Sequence, residues 1–187
     1  MPPVAELPYS GRHLVLMGLR ASGKSTAGRL AAQALNIAFI DLDALVLREL
    51  DAPSVTRAWA DHGERAFRAA EAACLRAALM RNREDVLALG GGTPMIDAAR
   101  RELQSAVVAG AVVGPVYLHA PPDVLAARLA EAPGDRPPLS DQDLPAEVRG
   151  VYEKRDSVYQ ALAETVLEVG AMPAQVVADR LTDIWDS

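Results

Sequence analysis

The sequence predicts an α/β protein, a parallel sheet covered by helices on both faces, and three observations lead there. Short apolar runs alternate with segments of strong helix formers. Several runs stop at glycine or aspartate, as strands do where they leave the carboxyl edge of a sheet. No internal repeat, low-complexity tract or linker interrupts the 187 residues, so residues 1–187 read as one domain.

The first strand is read at His13–Met17, ahead of a glycine-containing loop, followed by a helix over Lys24–Leu35 rich in Ala, Leu and Arg. A second apolar run, Ile37–Ile40, stops at Asp41, and helix-like segments follow at Ala44–Leu50 and His62–Asn82. Val86–Leu89 leads straight into Gly90, Gly91 and Gly92. Pro115–His119 reads as a strand, Pro122–Glu131 as a helix, and Ala132–Asp143 as a loop rich in Pro, Gly and Asp. A helix from about Pro145 to Glu164, a strand at Thr165–Glu168 and a helix from about Pro173 to Trp185 complete the series, with residues 1–12 as an N-terminal extension.

Half of the residues are apolar, enough for a sizeable core, and the formal net charge is −6. That charge argues against a general binder of nucleic-acid backbones, which needs clustered Lys and Arg to displace counterions. Cys74 is the only cysteine, so no disulfide framework exists, and it reads as a small buried hydrophobe. The first residues lack the basic flank and apolar stretch of a secretory signal. The longest apolar stretch, Ala106–Leu118, is broken by Gly110, Gly114 and Pro115 and falls short of the roughly 20 residues that span a bilayer. The expectation is a cytoplasmic monomer with no nucleic-acid or membrane partner.

Gly18-Leu19-Arg20-Ala21-Ser22-Gly23-Lys24-Ser25-Thr26 fits G-x-x-x-x-G-K-[ST] and lies between a strand and a helix, where that phosphate-binding loop must lie. Glycines let the backbone wrap phosphate oxygens, inward N–H groups and the helix N-terminus supply positive potential, Lys24 reaches the β- and γ-phosphates, and the Ser25 hydroxyl can ligate Mg²⁺. The bland alternative, a glycine turn that merely starts a helix, has no need of Lys followed by Ser. This P-loop predicts nucleotide binding but does not by itself separate a kinase from a GTPase or an ATP-driven machine.

Asp41 and Asp43 follow the second strand, and in extended backbone residues two apart point the same way. One acid could serve the Mg²⁺ shell and the other an acceptor hydroxyl; the alternative is an ordinary acidic helix start with Asp43 as its cap. Gly90, Gly91 and Gly92 remove three side chains at another strand end, which lets a ligand approach bare backbone, although a flexible turn would look similar. Arg68 has Glu71 three residues on to brace it for a carboxylate, or the two form a plain solvated pair. Arg136 stands in a loop long enough to close over a nucleotide, whereas Arg155 on its helix carries no role without further context.

Together these motifs resemble the shikimate kinase family in order and spacing, over about His13 to Glu164: the P-loop, Asp41 with Asp43, Gly63-Glu64-x-x-Phe67-Arg68-x-x-Glu71, Gly90–Gly92, Arg136-Pro137, and Arg155-x-x-x-Tyr159. The resemblance implies a P-loop kinase fold with a five-stranded parallel sheet and a lid at about residues 132–143. It implies ATP and Mg²⁺ as cofactors and shikimate as the acceptor, phosphorylated to shikimate 3-phosphate in aromatic amino-acid biosynthesis. Nucleotide contacts are expected from Gly18, Ala21, Ser22, Gly23, Lys24, Ser25, Thr26 and Arg136, with Arg128 and Pro173 around adenine. Ser25 and Asp41 are the expected metal ligands. Asp43, Arg68, Gly90, Gly91, Gly92 and Arg155 form the expected acceptor site, where Asp43 assists the attacking hydroxyl and the two arginines clamp the carboxylate.

Lys24, Asp43 and Arg136 are the expected catalytic residues. The chain departs from the family pattern at Ala21, where a glycine is common, at Leu47, where an acid is usual, at Pro138 in the lid, and at Thr93-Pro94 after the glycines. Two other readings stay open, a P-loop kinase for another acidic polyol such as gluconate and a catalytically silent nucleotide-binding regulator.

Overall fold

The computed structural model describes residues 9–132 and 143–187; the readings made for residues 1–8 and for most of the lid, Arg136 and Pro138 included, fall outside the described residues. Five strands, β1 (Arg12–Met17), β2 (Ala38–Asp41), β3 (Glu84–Ala88), β4 (Val112–His119) and β5 (Thr165–Glu168), pair in parallel in the order β2-β3-β1-β4-β5. Seven α-helices accompany them among the described residues: α1 (Lys24–Leu35), α2 (Leu42–Glu49), α3 (Val55–Leu79), α4 (Asp97–Val108), α5 (Pro122–Glu131), α6 (Leu144–Leu162) and α7 (Ala174–Asp186). None of these helices is long and apolar enough to cross a membrane.

β1 explains the three layers. Its residues from His13 to Met17 are fully buried, and successive side chains serve opposite faces. Leu14 and Leu16 join the core beneath α1, α5, α6 and α7, while Val15 and Met17 join the core beneath α2, α3 and α4. A central strand buried on both sides has no polar alternation to show, which is why it reads as an unbroken apolar run. Each such Leu or Val contributes about 1.5–3 kcal/mol relative to exposure. The connections from neighbouring strands β1 and β3 leave for opposite faces, through α1 and α4 respectively, and open a crevice at their carboxyl ends.

α1, α5 and β5 fall on the residues read from sequence, and three differences have physical causes. α2 follows β2 without a loop: Asp41 is its N-cap, its Oδ1 accepting from the Asp43 backbone N–H at 3.1 Å. Asp43 therefore stands in the first helical turn, which corrects both the extended geometry expected for the pair and the notion of Asp43 as the cap.

α3 begins at Val55, capped by Ser54 Oγ, seven residues before the predicted start, because Gly63 interrupts the helical pattern. Gly63 has φ 79° and ψ 159°, so α3 is two helical segments joined at a kink.

α4 escaped notice because its end runs into the apolar stretch from Ala106, and β4 starts three residues before Pro115. Opposite Val15, β4 fits in both Gly114 and Pro115, a bulge that looks like a strand boundary in sequence.

The backbone angles at Gly63 belong to a region that essentially only glycine occupies, yet a Cβ there would meet no atom within 4 Å. Gly63→Ala is therefore expected to lower stability by about 1–3 kcal/mol through backbone strain alone, as urea unfolding will measure. An unchanged midpoint would mean that the kink relaxes without cost.

Candidate active site

The crevice holds a cavity of about 710 Å³, and the P-loop forms its floor. β1 delivers Gly18, and α1 opens on Gly23 (φ 92°) with no side-chain cap, so the first-turn N–H groups face the loop. Lys24 Nζ donates to the carbonyl oxygens of Gly18 at 2.8 Å and Leu19 at 2.9 Å, which holds the ammonium across the loop. The Ser22 hydroxyl is buried there without a hydrogen-bond partner among the described residues. Ala21, where the family favours glycine, sits at φ 61°, a left-handed conformation costing a non-glycine residue about 1 kcal/mol. Arg128 holds it: Nη1 donates to the Ala21 carbonyl at 3.2 Å, and Nη2 donates to the carbonyls of Val169 and Gly170 beyond β5 at 3.0 and 3.1 Å.

All the predicted P-loop contacts from Ala21 to Thr26 line this cavity, with Asp41, Asp43, Gly91 and Arg128. Pro173 is the N-cap of α7, and its neighbours Met172 and Ala174 line the cavity wall.

Ser25 Oγ donates to Asp41 Oδ2 at 2.9 Å, so a hydroxyl and a carboxylate meet at the cavity edge. No group of three or more His, Cys, Asp or Glu able to hold a metal ion exists among the described residues. Such a sparse set of hard oxygen donors fits Mg²⁺, which takes most of its shell from water and substrate phosphates.

Of the residues expected to hold the acceptor, Asp43 and Gly91 line this cavity, while Arg68 and Arg155 line a smaller pocket beside it. A Cβ on Gly92 would lie 2.2 Å from Arg68 Nη1, and one on Gly90 would lie 2.5 Å from Asp43 Oδ1 and 2.8 Å from Glu71 Oε1. At those two positions the missing side chains make room for Arg68, Asp43 and Glu71, whereas Gly91 borders the cavity itself.

Glu71 is fully buried and doubly held: Arg68 Nη1 donates to its Oε2 at 2.6 Å and Thr93 Oγ1 to its Oε1 at 2.8 Å. Burial pulls the Arg68 guanidinium down, but Glu71 and then Glu64 more than compensate and leave its pKa above the ordinary value. The bracing is thus a part-buried, charge-assisted contact to a buried carboxylate and not the solvated pair.

Arg155 reaches the same turn from α6. Its Nη1 donates to the Gly91 carbonyl at 2.6 Å, and Tyr159, one helical turn on, donates to the same oxygen at 2.5 Å. α6 is fixed to the sheet beside them: Tyr117 of β4 donates to Asp156 at 2.8 Å, and His119 lies between Tyr152 at 2.8 Å and Glu168 at 2.5 Å. A smaller pocket of about 40 Å³ adjoins the turn, lined by Arg68, Arg155, Arg20, Trp59 and Glu147 among others.

Arg20, Trp59 and Glu147 carried no signal in the sequence reading. Trp59 lies across the Gly63 kink from Arg68, so helical spacing could not bring the two together. Thr93 stood out only as an unusual residue after the glycines, and its bond to Glu71 gives it a use. Leu47, in place of the usual acid, lines the cavity one turn after Asp43.

A P-loop at the crevice of a β2-β3-β1-β4-β5 parallel sheet, with an adjoining cationic pocket that shares Arg20, Val55 and Leu129 with the P-loop cavity, defines a small-molecule P-loop phosphotransferase. The family model described as shikimate kinase matches residues 20–185. The chain is 38% identical to the shikimate kinase of Rhodopirellula baltica over 82% of its length and 79% of that protein. It is 35% identical to shikimate kinase 2 of Shigella boydii over 89% of its length and 91% of that protein. Its fold matches the solved shikimate kinase of Acinetobacter baumannii in complex with shikimate at TM-score 0.82 and 26% identity, covering 95% of this chain and 94% of that one. A gluconokinase from Sinorhizobium meliloti shares the fold at TM-score 0.61 and 19% identity. The chain belongs to the shikimate kinase family, and its activity is that family's ATP-using phosphoryl transfer.

Two outcomes follow from this geometry. Thr93→Val leaves a buried Glu71 oxygen without its donor and should cost about 1–3 kcal/mol in urea unfolding, with Thr93→Ser recovering most of it. Equal stability in the Val and Ser variants would remove the hydroxyl from the account.

The second outcome concerns alkaline stability. Burial and then Asp156 push the Tyr117 pKa well up from 10.0, and burial with Glu102 pushes Tyr9 up to about 12. Because the folded values exceed the unfolded one, this stabilisation is complete below about pH 10 and is lost as pH rises beyond it. Urea midpoints should fall above that pH, with a shallower fall in Tyr117→Phe; a fall of equal slope in both proteins would exclude Tyr117 as its source.

Proposed function

We propose that the chain transfers the γ-phosphate of ATP directly to the 3-hydroxyl of shikimate, with nucleotide in the P-loop cavity and acceptor beside the Gly90–Gly92 turn. The observation that carries this reading is the turn itself. Gly91 borders the P-loop cavity while its carbonyl is gripped by Arg155, and the neighbouring glycines seat Asp43 and Arg68. Donor and acceptor are thereby separated by one short stretch of backbone. The similar Acinetobacter baumannii enzyme, solved with shikimate, supports the choice of acceptor.

Lys24 and the loop N–H groups hold the phosphates, and Arg68 and Arg155 hold the acceptor carboxylate by charge-assisted bonds. Asp43 aligns the acceptor hydroxyl and takes its proton as the new oxygen–phosphorus bond forms and the bond to ADP breaks. No covalent enzyme intermediate is needed. Ser25 and Asp41 would hold Mg²⁺, which would supply charge neutralisation at the phosphate oxygens. Arg136 is assigned to the same phosphates from the lid, Arg128 and Pro173 to the adenine side. The enzyme so proposed is a cytoplasmic monomer, one kinase domain over residues 1–187.

ADP release should be stimulated by shikimate and not by gluconate, quinate or a no-acceptor control. Asp43→Asn should lower kcat about 10²–10⁴-fold with ATP affinity within a few-fold of the parent. Stimulation by gluconate alone would discard the acceptor, and near-parent turnover in Asp43→Asn would discard the proton acceptor.

A further inference from the structure

Two donors from one helix converge on a single acceptor. Arg155 Nη1 and the Tyr159 hydroxyl both donate to the Gly91 carbonyl, at 2.6 and 2.5 Å, and Gly91 is buried. A carbonyl oxygen has lone pairs for both, yet one donor already meets the requirement that a buried polar group be hydrogen-bonded. The free protein therefore holds one donor more than this carbonyl needs.

The two donors differ in their freedom. Tyr159 is fully buried, with its ring tilted against that of Tyr117 at 5.0 Å between centroids, so packing fixes its hydroxyl. Arg155 is part-buried and lines the smaller pocket. Arg68 is tied to Glu64 and Glu71, whereas Arg155 makes no ion pair among the described residues. The hydroxyl is thus the fixed partner of the carbonyl, and the guanidinium is a releasable one whose charge has no carboxylate beside it.

We propose that Tyr159 is a positioning residue for the acceptor, keeping the Gly91 carbonyl hydrogen-bonded while Arg155 turns Nη1 from that carbonyl to the acceptor carboxylate. The inference rests on the reading in which Arg68 and Arg155 hold that carboxylate. Without the hydroxyl, Arg155 could turn to the carboxylate only by leaving a buried carbonyl without a donor. That penalty falls on acceptor binding and not on the free protein, where Arg155 still serves the carbonyl.

Tyr159→Phe keeps the ring against Tyr117 and removes the hydroxyl. It should raise the KM for the acceptor about tenfold, with kcat and the KM for ATP within about twofold and the urea midpoint close to the parent's. In an Arg155→Ala background the same substitution should act the other way round. The carbonyl then lacks both donors with or without acceptor, so the midpoint falls while the KM stays within about twofold of Arg155→Ala alone.

A hydroxyl with a structural role only would lower the midpoint of the single variant at unchanged KM, and one acting independently of Arg155 would raise the KM about tenfold in both backgrounds. Either result overturns the proposal. If the double variant does not fold, the single variant decides: a raised KM at an unchanged midpoint supports the handover, and an unchanged KM overturns it. The assays use whichever of shikimate, quinate or gluconate the parent phosphorylates, so a wrong acceptor shows in the parent and a wrong role for Tyr159 shows in the variant. A parent that phosphorylates none of the three overturns both.

Discussion

The last rung between β1 and β3 is the contact on which the site depends. Leu89 N–H donates to the Leu16 carbonyl at 2.9 Å, extending the pairing of the two strands to their carboxyl ends. Just beyond it, β1 gives way to the P-loop and β3 to the glycine turn, and the two chains part toward opposite faces of the sheet. A Cβ placed on Gly91 would lie only 3.6 Å from the Gly18 carbonyl. Phosphate loop and acceptor turn are thus neighbours because two buried strands are paired in register, and no long-range loop arrangement is required.

Around that point two buried acceptors are each answered twice. Glu71 takes Arg68 on one oxygen and Thr93 on the other, and Gly91 receives Arg155 and Tyr159 on one carbonyl. A buried carboxylate left with one partner would be a liability, so the threonine is part of what holds Glu71, and through it the guanidinium, in place. The wall of Tyr117, His119 and Asp156 does the same for α6 at the level of a whole element, seating the helix that carries Arg155.

Much of this was legible in the sequence. β1 and the P-loop could be found because apolar runs and glycine spacing are local signals, and α1, α5 and β5 followed from the same kind of local pattern. The Asp41–Asp43 pair was found but misjudged, because a strand passing directly into a helix leaves no loop residues to announce the change. Gly63 and the Gly114-Pro115 bulge acted as false boundaries, since the residues that break an element also serve to bend one. Thr93 and Trp59 were beyond reach for another reason: their contacts cross from one element or helical segment to another, and no short spacing encodes them.

The kink at Gly63 divides α3 into two segments that do not share a helical phase. Residues Val55 to His62 carry the indole, and residues Glu64 to Leu79 carry Arg68 and its carboxylate support. The two segments meet where the Arg68 guanidinium lies over the Trp59 ring and Phe67 packs edge-on against it. The aromatic wall of the pocket and its anion clamp therefore come from two helical segments whose directions the glycine sets, and the aim of one toward the other depends on a single residue's backbone.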